Sequence, residues 1–131
     1  MELLRTGVIL NTENYDSCVS FYEKVLGLKT LFSKVEAEHR LTCFEFGGSY
    51  LMVESGGIAN PSGKSIQENS AKLRLHVQNL EAARQHLIAH GVGAKITRFS
   101  WGSTINIHDP DGSRIGIRED QEFLEQTAEL G

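Results

Sequence analysis

The chain has 131 residues, of which 40% are hydrophobic and 23% are charged, and its formal net charge is −4. A chain of this length is typical of one domain with a buried core, and its mild acidity argues against a nucleic-acid or anionic-membrane partner. The N-terminal residues lack a signal-peptide pattern, no apolar run is long enough to span a membrane, and only Cys18 and Cys43 are cysteines. These features predict a single domain over residues 1–131 in the cytoplasm.

The first half of the chain predicts a strand, a helix and three further strands. Residues 5–12 alternate as a strand, and Asn14 then begins a helix that Gly27 ends. The helix carries an apolar stripe at a spacing of 3.6 residues, formed by Tyr15, Cys18, Val19, Tyr22 and Leu26. The following strands are predicted at residues 28–32, 39–46 and 50–54, and Gly47-Gly48 predicts a tight hairpin turn between the last two.

The second half of the chain predicts the same order of elements after a linker at residues 56–71, which is rich in glycine and polar residues. Asn79 begins its helix and Gly91 ends it. Its strands are predicted at residues 72–77, 94–99, 103–108 and 114–118. Asp109-Pro110-Asp111-Gly112 is a turn sequence, and the acidic tail at 120–131 predicts a short helix or a frayed end.

The two halves also match in residue type. Residues 10–16 resemble 75–81, and residues 48–54 resemble 112–118, with nearly the same displacement along the chain. Two matches at nearly the same displacement favour an internal duplication. The sequence therefore predicts an α+β fold made of two tandem βαβββ modules, at about 5–55 and about 72–119, that together form a cup.

The order of these motifs resembles the vicinal oxygen chelate superfamily, which includes glyoxalase I, extradiol dioxygenases and bleomycin resistance proteins. The first half carries Asn14-Tyr15-Asp16, Phe21-Tyr22 and Val25-Leu26-Gly27-Leu28. The second half carries the run from Val77 to Ala82 and the Asp109-Pro110-Asp111-Gly112 turn. The resemblance covers about residues 5–118 and implies a curled mixed sheet, the glyoxalase/bleomycin resistance fold.

The enzymes of that superfamily hold one divalent metal at four strand positions, which the resemblance carries over to Gly7, Met52, Lys72 and Gly116. Glycine has no ligand atom, a lysine ammonium repels a cation, and a thioether is a poor ligand for these metals. We therefore expect no metal and no cofactor. His86 and His90, four residues apart on a helix, and a set of His39, Cys43 and Glu45 are the other metal candidates, and ordinary structural roles are favoured for both.

Strand alternation predicts which side chains face the cup. Val8, Leu10 and their partners face the helices, so the opposite set lines the ligand site. The predicted ligand-binding residues are Arg5, Glu45, Tyr50, Met52, Arg74, His76, Trp101, Asn106, His108 and Arg118. The gaps at Gly7 and Gly116 predict room for a flat aromatic group against the backbone. Lys72 and Arg114 share this face, which is rich in cations and predicts an aromatic or anionic small-molecule ligand.

Three functions are compatible with this sequence. The favoured one is a metal-independent binding protein, similar to the bleomycin resistance branch, that sequesters an antibiotic or metabolite as a homodimer. The alternative is a lyase, isomerase or dioxygenase with atypical ligands, in which Glu45, His76 and His108 are the candidate groups. The third is an interaction module without a small ligand.

Overall fold

The chain folds into two compact units that share one topology. The computed structural model describes residues 1–130. The first unit comprises Met1–Ser62 with Pro110–Gly112, and the second comprises Gly63–Asp109 with the chain from Ser113 onward. The boundary between them lies inside the predicted linker at 56–71. That residues 1–131 act as one domain, with a cup between the modules, stays a prediction.

The first unit contains one mixed four-stranded sheet and one helix. Its elements are β1 (Gly7–Thr12), α1 (Tyr15–Ser20), β2 (Thr30–Glu36), β3 (His39–Phe46) and β4 (Ser49–Ser55). The strand order is β1-β4-β3-β2, in which β1 and β4 are parallel and the other pairs are antiparallel. Gly47 and Gly48 both have positive φ in the β3–β4 turn, as this hairpin requires.

The second unit repeats that sheet and adds a C-terminal helix. Its elements are β5 (Leu73–Val77), α2 (Leu80–Ala89), β6 (Ile96–Phe99), β7 (Gly102–His108), β8 (Arg114–Glu119) and α3 (Asp120–Leu130). The strand order β5-β8-β7-β6, again with a parallel β5–β8 pair, is that of the first unit. The predicted α+β fold of two βαβββ modules is therefore confirmed. No helix within residues 1–130 combines the length and the apolar character needed to cross a bilayer.

The cores of both units lie on the sheet face that the alternation predicts. In the first unit Leu51 and Val53 are fully buried, and in the second Ile115 is fully buried and Ile117 nearly so. Parallel register places Val8 beside Leu51 and Leu73 beside Ile115, so each strand pair presents an apolar row to its core. The alternate residues of these strands are left on the other face.

Two local departures from regular geometry were not predicted. Helix α1 widens into a π-helical turn at Phe21–Val25, and Phe21 is buried together with Tyr22, whereas α-helical spacing places only Tyr22 of this pair on the core stripe. Strand β2 begins at Thr30 rather than at residue 28, and its register with β3 shifts between Thr30 and Phe32. This shift is a β-bulge.

The Asp109-Pro110-Asp111-Gly112 turn anchors the beginning of the first helix. The carboxylate of Asp111 is fully buried and accepts hydrogen bonds from the backbone N–H groups of Glu13, at 2.7 Å, and Asn14, at 2.9 Å. A carboxylate at this end of a helix satisfies N–H groups that have no partner within the helix. In the second unit Asn79 caps α2 through the N–H of Ala82, which confirms the predicted helix start.

Candidate functional site

The first unit has a pocket of about 470 Å³ on the sheet face opposite its core. The pocket is lined by Arg5, Leu31, Phe32, Cys43, Glu45, Gly48, Ser49, Tyr50 and Met52. The antiparallel register pairs Glu45 with Tyr50 and Cys43 with Met52, so these four side chains share one face. The four residues of this unit that the sequence predicts as ligand-binding, Arg5, Glu45, Tyr50 and Met52, are therefore brought together.

Strand β2 contributes two lining residues that sequence reasoning missed. Leu31 and Phe32 are consecutive, yet both line the pocket, and about half of each side chain is exposed. Strict alternation would place them on opposite faces, but the bulge between Thr30 and Phe32 breaks the alternation. No turn residue or glycine in the sequence marks this bulge.

The ring of Tyr50 covers Gly7 in the neighbouring parallel strand. The two residues are register partners, and a β-carbon at position 7 would lie 2.2 Å from the ring carbon Cζ. The predicted opening above Gly7 is therefore wrong, because the aromatic side chain of the protein itself fills it. Such packing compensates an edge-strand glycine for its missing side chain.

The pocket lining contains few polar groups. Burial raises the pKa of the Cys43 thiol, so the sulfur stays neutral and acts as an apolar wall at neutral pH. The Glu45 carboxylate accepts a hydrogen bond from the backbone N–H of Gly48 at 2.8 Å, which ties it to the hairpin turn. Arg5 is the remaining charged residue of the lining.

The second unit presents cations on the corresponding face of its sheet. Lys72 Nζ donates to Asn106 Oδ1 at 2.8 Å, and Arg74 Nη1 donates to Thr104 Oγ1 at 3.3 Å. Both cations lie over Gly116: a β-carbon there would be 2.9 Å from Arg74 Nη1 and 2.9 Å from Lys72 Cε. The predicted gap at Gly116 is thus also filled by the protein's own side chains.

Trp101 and helix α3 hold a second arginine beside this cluster. The guanidinium carbon of Arg118 lies 4.7 Å from the centre of the Trp101 ring, and that of Arg74 lies 5.5 Å from it. Arg118 Nη2 donates to Gln126 Oε1 at 2.7 Å, and its guanidinium also lies over the Phe123 ring. The predicted ligand-binding residues Arg74, Trp101 and Arg118 thus lie together, and the contacts that α3 makes with Arg118 were not predicted.

The other predicted ligand-binding residues of the second unit lie on β5 and β7 and contact other groups. His76 Nδ1 is 2.9 Å from Asp120 Oδ1, and its ring meets the edge of Phe123. Asn106 contacts Lys72, as described above. His108 hydrogen-bonds through Nδ1 to the carbonyl of Asp109 and lies against Gly63, so it does not join Arg74 and Trp101.

Comparison with models of protein families identifies the superfamily of this chain. Residues 5–117 match the model of the Glyoxalase/Bleomycin resistance protein/Dioxygenase superfamily. The chain belongs to this superfamily. No curated protein sequence matches it significantly.

Solved structures of the superfamily share the fold at low sequence identity. The chain is similar to the trypanothione-dependent glyoxalase I of Leishmania major, with 16% identity, a TM-score of 0.76 and coverage of 98% of this chain and 94% of that one. It is also similar to the fosfomycin resistance protein FosX of Listeria monocytogenes, with 14% identity, a TM-score of 0.73 and coverage of 93% of this chain and 98% of that one. A glyoxalase family protein of Enterococcus faecalis shows 21% identity and a TM-score of 0.72, with coverage of 90% of this chain and 97% of that one.

The four positions to which the family resemblance carries the metal ligands do not fit a metal. In the first unit they are Gly7, beneath the Tyr50 ring, and Met52, whose register partners are Ile9 and Cys43. In the second unit they are Lys72 and Gly116, and the lysine amine itself lies over the glycine. Within residues 1–130 no three His, Cys, Asp or Glu side chains are grouped so that they could hold a metal ion.

The two other metal candidates have structural partners instead. His39 Nε2 lies 2.8 Å from Glu54 Oε1, so the set of His39, Cys43 and Glu45 is not assembled. The ring of His86 on α2 lies 4.3 Å from that of His90, the residue that follows the helix, but no third ligand from the described part of the chain completes a site.

The packing of Tyr50 on Gly7 predicts a non-additive pair of substitutions. Gly7→Ala should lower the free energy of unfolding by about 1–3 kcal/mol, because the new methyl group overlaps the ring. In a Tyr50→Ala background the same change should cost little, since the overlapping ring is gone. Urea denaturation of the four chains measures this coupling, and an equal cost of Gly7→Ala in both backgrounds would contradict the packing.

Proposed function

We propose that this chain is a metal-independent small-molecule binding protein that sequesters an aromatic or anionic compound. The observation that carries the proposal is the pocket of about 470 Å³ on the first unit. In this pocket the aromatic ring of Tyr50 covers a position at which enzymes of the superfamily carry a metal ligand. The ligand surface is thus made of the protein's own apolar and aromatic side chains.

The chemistry of this pocket suits an aromatic compound. Its volume lies in the range of about 300–1,000 Å³ that is common for small-molecule sites. Leu31, Phe32, Tyr50 and Met52 offer flat and flexible apolar contact, and Arg5 and Glu45 can orient polar substituents of the ligand. Sequestration needs no reacting group, and the described lining residues include no nucleophile paired with a base.

The finer parts of the proposal concern the ligand, the compartment and the assembly. We propose an antibiotic or a metabolite as the ligand, the cytoplasm as the compartment, and a homodimer as the assembly. The dimer is supported by apolar side chains that stay exposed on the first unit: Ile9, Phe32 and Val35 are 55%, 50% and 67% exposed. Phe32 and Val35 lie on β2, a fully exposed edge strand, and such a strand with apolar side chains is typical of a surface that a partner covers.

A neutral aromatic probe tests the binding proposal. N-phenyl-1-naphthylamine fluoresces in apolar surroundings, and we expect saturable binding with a stoichiometry of one per chain. Leu31→Ser should weaken its binding about fivefold or more, because burying a leucine side chain against a ligand contributes about 1–3 kcal/mol.

The matched control for this titration is Ile88→Ser on α2. Ile88 is 48% exposed and Leu31 is 49% exposed, so both variants remove a similar amount of exposed apolar surface. The control should bind the probe with the affinity of the unmodified chain. Absence of saturable binding, or equal weakening in both variants, would contradict a specific pocket and favour an interaction module without a small ligand.

The assembly is tested separately by light scattering. Multi-angle light scattering should give a mass twice the 14.5 kDa of one chain at micromolar concentration. Val35→Lys, on the exposed part of β2, should shift the mass towards that of a single chain, because a charge is costly in an apolar interface. A mass of one chain at all concentrations would contradict the homodimer.

One observation favours the alternative, a lyase, isomerase or dioxygenase. His76 and Asp120 form a pair at 2.9 Å in which the carboxylate can orient the imidazole, as it does for a general base. The recovery of a bound compound after incubation distinguishes the two functions. An unchanged compound supports sequestration, whereas its conversion, lost in His76→Gln, supports the enzyme.

A further inference from the structure

Two cationic side chains of the second unit converge on one point above its sheet. Arg74 and Gly116 are register partners in the parallel β5–β8 pair. A β-carbon at position 116 would lie 2.9 Å from Arg74 Nη1 and 3.3 Å from Lys72 Nζ. Only a glycine leaves this space, so the absent side chain allows a guanidinium and an ammonium to occupy the same small area of the sheet.

No acidic side chain neutralises these cations. Lys72 and Arg74 donate to neutral acceptors, Asn106 Oδ1 and Thr104 Oγ1. Arg114, on the neighbouring strand, donates to the backbone carbonyls of Asn69 and Ala71. Within residues 1–130 no carboxylate forms an ion pair with Lys72, Arg74, Arg114 or Arg118. This arrangement stands out in a chain with 17 acidic residues and a net charge of −4.

Two arginines of the same face also retain buried donors without an acceptor. Arg118 is 7% exposed, and its Nε has no hydrogen-bond partner. The Nε of Arg114 is likewise buried without a partner. Buried donors of charged groups normally have acceptors, because the loss of water is otherwise uncompensated. Both arginines therefore place on this face a buried donor that no acceptor of the described chain meets.

The titration behaviour of the cluster agrees with its geometry. Burial, and then the positive charges of Arg74 and Arg114, lower the pKa of Lys72. Burial and the charge of Arg118 lower the pKa of Arg74. Each cation is thus destabilised by its neighbours, and an anion placed among them would relieve that repulsion.

We propose that Lys72 and Arg74, over Gly116, form a binding site for an oxyanion, the carboxylate or phosphoryl group of a small molecule. Arg74 offers a planar fork of donors that suits two oxygens, and Lys72 adds a compact charge. Trp101 supports Arg74 and Arg118 through ring contacts, so the cations are held in place before the anion arrives. The site lies in the second unit, so the experiment that tests it gives a result independent of the test of the aromatic pocket in the first unit.

The single tryptophan of the chain makes this site directly observable. Trp101 contacts Arg74 and Arg118, so binding of an anion to Arg74 should change its fluorescence. The probes are phenyl phosphate and benzoate, each titrated at low salt, with isothermal calorimetry on the same samples as a second readout. We expect saturable binding of at least one probe, and the stronger of the two identifies the phosphoryl or the carboxylate group as the preferred ligand.

Three variants separate the site from general electrostatic attraction. Arg74→Ala should weaken binding about tenfold or more, as expected for the loss of a charge-assisted contact. Gly116→Ala keeps every charge but places a methyl group where both cations lie, so it should also weaken binding. Lys95→Ala, which removes an exposed cation elsewhere in the second unit, should leave the affinity unchanged.

Circular dichroism and melting curves confirm that each variant is folded before it is titrated. If Arg74→Ala does not fold, Lys72→Ala replaces it with the same expectation. The proposal is overturned if neither probe binds saturably by fluorescence and calorimetry. It is also overturned if Lys95→Ala weakens binding as much as Arg74→Ala, because the attraction would then depend on net charge alone.

Discussion

In each unit, the register of the parallel strand pair determines which side chains lie next to each other on the sheet face opposite the core. In the first unit this register sets Tyr50 beside Gly7, and in the second it sets Arg74 beside Gly116. Because side chains alternate along a strand, a slip of one residue would turn the buried rows of Leu51 and Ile115 outwards. Core packing therefore fixes the sheet face on which the remaining side chains lie.

Within this shared register the two units differ in chemistry. The family resemblance carries a metal-ligand position to Gly7 in one unit and to Gly116 in the other, and side chains of the same unit cover each glycine. In the first unit the cover is an aromatic ring, which leaves an apolar pocket. In the second it is a pair of cations, which leaves a concentrated positive charge. One fold thus presents an apolar pocket in one unit and a cluster of cations in the other, and the two proposed kinds of recognition rest on this difference.

Much of this architecture follows from periodicity alone. The repeated strand order, the core rows and the pairing of Glu45 with Tyr50 are predictable, since alternation and a two-glycine turn fix them. The bulge that brings Leu31 into the pocket and the π-helical turn at Phe21 are not, because tertiary packing rather than a local residue pattern produces them. The packing of Tyr50 over Gly7, and of Arg74 over Gly116, depends on side-chain rotamers. Alternation specifies only the sheet face of a residue, not where its ring or charge lies.

The metal content of the chain purified without chelators tests the central claim most directly. Elemental analysis should find divalent transition metals far below one ion per chain, and adding manganese, nickel or zinc salts should leave the melting temperature unchanged. One tightly held ion per chain, with a melting temperature that falls when a chelator removes it, would contradict the account.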